Sequence, residues 1–453
     1  MLNIPLLDII LENLPWNKSK EYEKLEGKYG VEVKKTIWDL IVYPLLKIES
    51  IPDLAYSVNR NKNDYYDLMK DQSVDWLKLL QEITYAIFLS ILIVYHNNTD
   101  ESWRSRHRIR LITDDTILRR FSKYIAESHK VYNSIDHYFC NGQKMLVLAV
   151  SIGEDHLMFP ILSSIQHTGN NGETSVATIA QAIDTLCESV KRDGLSMEIE
   201  DLSMEGVRLV GDSAFSCGEI AKVSRKHGLQ FYGTARASWV FTLPDGTKIT
   251  CGELKRGEIP KGMNKRYSSE LGTYYYRCTV SHETLGDIAL AIIQLPQKEG
   301  SGKASKNKKK KGGKKKRGKK NNKKTVKKTK PMRFYVHFST DLNVRCAVMV
   351  REHRLRVAIE LMFKYMKHVL AIKSCQCVSG VAQNAWIALT ALRFLLARLM
   401  VQFTKRYPSL RGDLSNSQCS LRYILRYFRN NYHLSATSLE IKHLHYDFVS
   451  RVA

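Results

Sequence analysis

From Val74 to His96 (VDWLKLLQEITYAIFLSILIVYH) the chain is apolar-rich and free of Gly and Pro, which predicts one long helix. Shorter helical patterns precede it, broken around Pro44 and Pro52, so residues 1–100 read as an N-terminal helical domain. The period then changes to alternation. Arg108 to Thr113 (RIRLIT) predicts a strand ending in the acidic pair Asp114-Asp115. Met145 to Ile152 and Leu157 to Ile165 predict two more, with Gly153-Glu154-Asp155 turning between them. A helix over Ser175 to Arg192, closed by Gly194, leads to a buried strand Val207 to Val210 ahead of Gly211-Asp212. A helix over Glu219 to His227 and a strand over Leu229 to Gly233 complete the series.

Three strands, helix, strand, helix, strand is the order of a ribonuclease H-like core, an α/β fold whose mixed sheet carries flanking helices on both faces. Fold order by itself says little about function. The pattern breaks between 237 and 333, where strand-like pieces (Thr273 to Val280, Ile288 to Leu295) precede a lysine-rich tract. It resumes with a strand from Phe334 to Ser339, a long helix from His353 to about Leu370 and an apolar helix from Val381 to Phe403. The expected organisation is 1–100 helical, with a candidate role in DNA-end binding; 101–236 the first part of the core; 237–333 a β-rich insertion; 334–405 the second part, with the catalytic helix; and 406–453 a C-terminal helical region.

Charge changes the picture. The net charge is +25 over 453 residues, which points to a polyanionic partner. Residues 303–330 hold 17 of the 70 Lys and Arg and no acid, which leaves +8 for the rest of the chain. Such a tract repels itself and is expected to be disordered without a polyanion. It adds sequence-independent, salt-sensitive affinity but cannot read bases. The nine scattered Cys contain no C-x2-C pair, so a disulfide framework or zinc finger is not expected; Cys375 and Cys377 read as packing residues. The apolar N-terminus lacks the features of a signal peptide. Arg393 and Arg398 interrupt the apolar run 385–403, which reads as a buried helix rather than a membrane span. The expectation is a protein of the cytoplasm, associated with the nucleoid, with no membrane partner.

Three acids carry candidate chemistry. Phosphodiester cleavage needs an activated oxygen nucleophile and a stabilised leaving oxygen, and two Mg²⁺ or Mn²⁺ ions about 3.5–4 Å apart, held by carboxylates, supply both. Asp114 and Asp212 each follow a strand; if those strands are neighbours, the two acids emerge at one edge. Either alone is more readily read as a turn or cap residue. At about 100° per residue, His353, Arg356, Glu360 and Lys367 fall within an arc of about 60° on one helix. An i,i+4 pair accounts for Arg356 and Glu360 but not for the other two.

The pattern His353-x2-Arg356-x3-Glu360-x6-Lys367 resembles the Tyr-x2-Arg-x3-Glu-x6-Lys signature of DDE transposases of insertion sequence family four. Leu111-Ile-Thr-Asp-Asp-Thr116 is similar to the first-aspartate motif of that group and Gly211-Asp212-Ser-Ala-Phe215 to the second; Phe338-Ser-Thr-Asp-Leu342 is also similar. The resemblance covers about residues 108–405. It implies that Asp114, Asp212 and Glu360 bind the metal ions, with Asp115 the competing first acid, and that Arg356 and Lys367 hold phosphates of double-stranded transposon-end DNA. It implies a homodimer in the synaptic complex. The 148 residues between Asp212 and Glu360 match relatives with a β-strand insertion. His353 departs from the usual Tyr, so a hairpin intermediate does not carry over. Trp239 is either a base-stacking residue or a buried anchor, and Arg236 either a DNA contact or a surface residue. The alternatives to a transposase are a ribonuclease H-like nuclease that does not join strands and a non-catalytic DNA-binding derivative.

Overall fold

The computed structural model describes residues 10–120, 122, 124–133, 137–153, 157–166, 174–199, 201–296, 332–375, 377–406 and, beyond these, 420, 421, 423 and 426. The lysine tract 303–330 and nearly all of the expected C-terminal helical region lie outside the described residues.

The chain begins with helices α1 (Lys20–Tyr29), α2 (Glu32–Val42), α3 (Ile51–Ser57), α4 (Lys62–Lys70), α5 (Trp76–Asn97) and α6 (Glu101–Arg106). Strands β1 (Ile109–Arg119), β2 (His129–Asn133), β3 (Tyr138–Ile152) and β4 (Leu157–Ile165) follow. Then come α7 (Ser175–Ser196), β5 (Arg208–Gly211), α8 (Gly218–Lys226) and β6 (Gln230–Thr234). Next are β7 (Val240–Thr242), β8 (Lys248–Thr250), α9 (Cys251–Arg256), β9 (Arg266–Ser268), β10 (Thr273–His282), β11 (Gly286–Pro296) and β12 (Met332–Ser339). Helices α10 (Cys346–Leu355), α11 (Val357–His368) and α12 (Gly380–Arg406) close the series. The fold is α/β, with mixed pairing in which antiparallel strands predominate.

Two compact units form: 1–232 with 352–453, and Gly233–Arg351. In the first, β3 pairs antiparallel with β1 along one edge and with β2 and β4 along the other. β1 pairs parallel with β5, and β5 parallel with β6. Pro160 has no N–H to donate, and the β3–β4 register shifts beside it, between Leu148 and Ala149. In the second unit β12, β11 and β10 form an antiparallel run, with β7 and β9 on β10 and β8 on β7. The capping box of Thr250 and Glu253 starts α9, which packs against β12.

Two expected boundaries change. The N-terminal helices are not a separate domain, because α12 packs against α2, α4, α5 and β4 and joins them to the first unit. The strand expected to reopen the core at 334 belongs to the second unit, since it pairs with β11 from Met332 to Ser339. Helices Trp76–Asn97 and Gly380–Lys405 have the length and apolar content to cross a membrane; 89% of the second one's apolar window is buried inside the fold. Arg393 is accommodated there by donating to the carbonyls of Leu40, Ile41 and Leu370, with its guanidinium over the Trp386 ring. A buried cation so fully hydrogen-bonded belongs to a protein interior.

Candidate active site

The last paired residues of β1 and β5 are Thr113 and Gly211, side by side on parallel strands. Asp114 and Asp212 come next on each, so the two acids sit side by side where the β1–β5 pairing ends. Sequence reading ended the first strand at these acids. In the structure β1 runs on to Arg119, because β3 pairs with it through Arg119 opposite Gly142. What opens the space around Asp114 is therefore the end of β5 rather than the end of β1.

The two acids are held differently. Oδ1 of Asp212 accepts from the Ala214 and Phe215 amides at 2.7 and 3.2 Å, an Asx turn, and the Ser216 amide and hydroxyl donate to the Asp212 carbonyl. Oδ2 is left without a hydrogen-bond donor among the described residues. A Cβ at Gly211 would come within 3.3 Å of the Phe215 Cβ, so the tight turn favours glycine. Asp114 is only 13% exposed, and its Oδ2 accepts from Arg356 Nη1 at 2.5 Å.

Glu360 arrives on α11. The single helix expected from His353 to Leu370 is two, with Arg356 between them. Its amide donates to the His353 carbonyl and its carbonyl accepts from Ile359, both at i,i+3 spacing, while its backbone stays right-handed. The turn tightens without reversing, so the stripe survives the break. Arg356 Nη2 lies 2.5 Å from Glu360 Oε1, and Lys367 Nζ donates to the hydroxyl of Thr116. Thr116 is two residues after Asp114 and so lies on the same face of β1. Asp115 takes the opposite face, where Lys144 Nζ holds it at 2.8 Å beside a cavity of about 390 Å³ lined by Ser175 and Phe215. Of the two candidates for the first acid, Asp114 is the one gathered with Arg356 and Glu360.

The electrostatics follow from this crowding. Burial pushes Asp114 up to about 7, with the Asp212 charge adding to it and Arg356 opposing. His353 is driven down to about 4 by burial and by Arg356, against the pull of Asp212 and Glu360, and is therefore neutral at pH 7. Burial also lowers Lys367 to about 8, helped by Lys373 and Arg119. Asp114, Asp212, Glu360, His353 and Arg356 thus act on one another as one cluster.

The three acids do not close on a single point, because the Arg356 guanidinium lies between Asp114 and Glu360. Among the described residues, the His, Cys, Asp and Glu set whose ligand atoms all fall within 4.8 Å of one another is Asp184, Glu188 and His227, which sequence reading did not single out. Lys226 already pairs with both of those acids, at 2.7 and 3.0 Å.

Two expected DNA contacts lie in the second unit. Trp239 is 9% exposed and packs on His282 and Phe338, with ring centroids 4.6 and 5.1 Å apart. It is the buried anchor rather than an open stacking platform, since a base could reach its face only by displacing those rings. Arg236 is half-buried, and its carbonyl accepts from the Trp239 amide. Cys375 is buried, in keeping with a packing role.

Glu352, one residue before the signature, is fully buried between Arg110 of β1 and Arg208 of β5. Sequence reading missed it. A signal existed: an Arg inside each of two apolar strands (RIRLIT, VRLV) demands a buried acid.

The Asp114 shift gives a pH test. An unfolded Asp titrates near 3.9. Between about pH 4 and 7 the native state therefore holds a proton that the unfolded state has lost, and stability falls as pH rises through that window. With divalent ions chelated, Asp114→Asn should gain melting temperature over the unsubstituted protein as pH goes from 5 to 8. A constant difference across that range would mean that Asp114 is not desolvated as described.

No protein-family model matches the chain, and no curated protein matches it.

Proposed function

We propose that the chain is a DDE transposase that cleaves transposon ends and joins the 3′-OH to target DNA, using a ribonuclease H-like core. The observation that carries this reading is the placement of Asp114, one residue past the last β1–β5 pair, beside Asp212 at the end of β5, with Glu360 linked to Asp114 through Arg356. The mixed sheet, antiparallel over β4, β3 and β1 and parallel over β1, β5 and β6, is in keeping with such a core.

The donor set suits a hard divalent cation. The three acids offer carboxylate oxygens, one of those on Asp212 has no donor among the described residues, and a cationic guanidinium already lies where Asp114 and Glu360 converge. Asp114, Asp212 and Glu360 would hold two Mg²⁺ or Mn²⁺ ions, which supply Lewis-acid stabilisation and an activated oxygen nucleophile. The chain's own groups position the DNA. Arg356 offers a planar fork that suits phosphate as well as carboxylate. Lys367 and His353, the latter as a neutral hydrogen-bond donor, present N–H groups to backbone phosphates on the same side. Arg236 is a further DNA contact. The working form is a homodimer at paired ends, in the cytoplasm on the nucleoid, with no membrane partner.

The test combines purified protein, a labelled element end, a target plasmid and Mn²⁺. Cleavage with joined product is the expected result. Cleavage without joining would reduce the reading to a nuclease, and binding alone would remove catalysis from it. Deleting 303–330 takes away 17 cations and should flatten the dependence of log K on log salt by several units while cleavage persists. Loss of all activity on deletion would overturn the view of the tract as a sequence-independent tether.

A further inference from the structure

We infer that the second unit carries a phosphate-binding pocket of its own, built to hold the backbone of a DNA strand with a base set against Tyr267; the identity of the polymer rests on the transposase reading, the anion site does not. A cavity of about 390 Å³ opens between the β9–β10 hairpin and the start of α10 and is lined by Arg266, Arg277 and Arg345. The guanidiniums of Arg266 and Arg277 are close enough to Cys346 to oppose the upward shift that burial imposes on its thiol. Arg277 is anchored by donating to the Leu342 carbonyl at 2.5 Å. Arg266 and Arg345 are exposed, and their guanidiniums have no ion-pair or hydrogen-bond partner among the described residues.

The rest of the lining has the same preference. The amides of Cys346 and Ala347 open α10, where a helix has no intrahelical acceptor for its N–H groups. Ser268 and Ser269 add hydroxyls. Glu270 is the one acid in the wall, against three arginines. Three cations converging on one cavity and outnumbering the acid bind an anion, and planar guanidinium forks match phosphate oxygens bidentately. Across β9 and β10 Arg266 pairs with Tyr275 and Tyr267 with Tyr274, so a strand whose phosphate fills the pocket meets a pair of rings on the opposite face of the same hairpin. Tyr267 is 60% exposed and Tyr274 48%, with ring centroids 5.2 Å apart, and Lys265 lies 4.4 Å over the Tyr274 ring. Exposed rings beside a cation, on the hairpin that carries an anion site, are what stacked bases and a tracked backbone require.

The test measures binding of the full chain to labelled single-stranded and duplex oligonucleotides across a salt series, without divalent ions, so that cleavage plays no part. The double variant Arg266→Gln with Arg345→Gln should bind about tenfold more weakly and lose about 1–2 from the salt slope. The charge-matched control Lys191→Gln with Lys222→Gln should do neither. Tyr267→Ala, which keeps every charge, should weaken single-strand binding about tenfold and leave the slope unchanged. The proposal fails if the arginine variant behaves as the control does. It fails equally if polyglutamate displaces DNA from the unsubstituted protein as well as competing DNA does, since the pocket would then serve an acidic polypeptide. Loss of pocket binding with cleavage intact would leave the active-site reading standing, and the reverse result would leave the pocket standing.

Discussion

Asp212→Asn is expected to abolish both cleavage and joining, by about a thousandfold or more, while duplex binding in the absence of divalent ions stays within about twofold. The substitution is nearly isosteric. Oδ1 can still accept from the Ala214 and Phe215 amides, so the Asx turn that follows β5 persists. What is lost is the negative charge and with it the metal binding proposed for Oδ2, and a thousandfold rate loss corresponds to about 4 kcal/mol of transition-state stabilisation. Glu360→Gln should give the same loss by a different route. Glu360 is 51% exposed and its carboxylate pairs with Arg356, so its replacement by Gln should leave the fold intact. The measurement is a single-turnover cleavage assay on a labelled end in Mn²⁺, with filter binding in EDTA as the control. Full cleavage by Glu360→Gln would show that this helix does not supply the third acid. A loss of binding equal to the loss of cleavage would mean that the acids shape the DNA surface rather than the chemistry.

Where one local signal was unopposed, the sequence was a good guide. The helix expected from Val74 to His96 is found at Trp76–Asn97, and the strand expected at Leu157 to Ile165 is found with those ends. Both are runs whose pattern agrees with their tertiary setting. The errors fall where pairing overrides local propensity. Asp114 and Asp115 looked like a strand end because Asp disfavours strands, yet β3 carries the ladder past both, with Val147 and Leu146 opposite them. β2 (HKVYN) is too short and polar to announce itself, and it forms because the long β3 extends past β4 to meet it. The break at Arg356 has no Gly or Pro to mark it. The stripe of His353, Arg356, Glu360 and Lys367 was legible because helical periodicity is a local property, and the tightened turn disturbs it little. That β1 and β5 are neighbours, which places Asp114 beside Asp212, is a long-range fact that the sequence could pose only as a condition.

The largest expected effect on stability comes from Glu352, through which the start of the signature segment is fixed to the sheet. Its side chain is 0% exposed, Arg110 Nε donates to it at 2.5 Å, and Arg208 donates to its other oxygen. Burial pushes the Glu352 carboxyl up, but the two guanidiniums outweigh it and hold the group below the ordinary range. Glu352→Ala would leave two buried cations without their counter-charge, and breaking a buried pair from one side costs about 3–5 kcal/mol. In denaturant unfolding this appears as a lower midpoint at pH 7. The difference should shrink in acid, because a depressed carboxylate contributes stability above its unfolded value, near 4.3, and loses it as pH falls through the folded one. A merely destabilising lesion would lower only the amount of active protein. Here Arg110 lies on β1 and Arg208 on β5, each four residues before the acid proposed to bind metal on that strand, and Glu352 precedes His353 directly. The surviving folded fraction of Glu352→Ala should therefore cleave more slowly per molecule as well. Replacing the whole group, with Arg110→Met, Arg208→Met and Glu352→Leu, should recover most of the midpoint, since an apolar core of similar volume bears no desolvation cost. If that variant regains stability but not its rate per folded molecule, the ion triad registers the signature segment against the two acid-bearing strands. If both return together, the triad is packing alone and the position of Glu360 is set elsewhere.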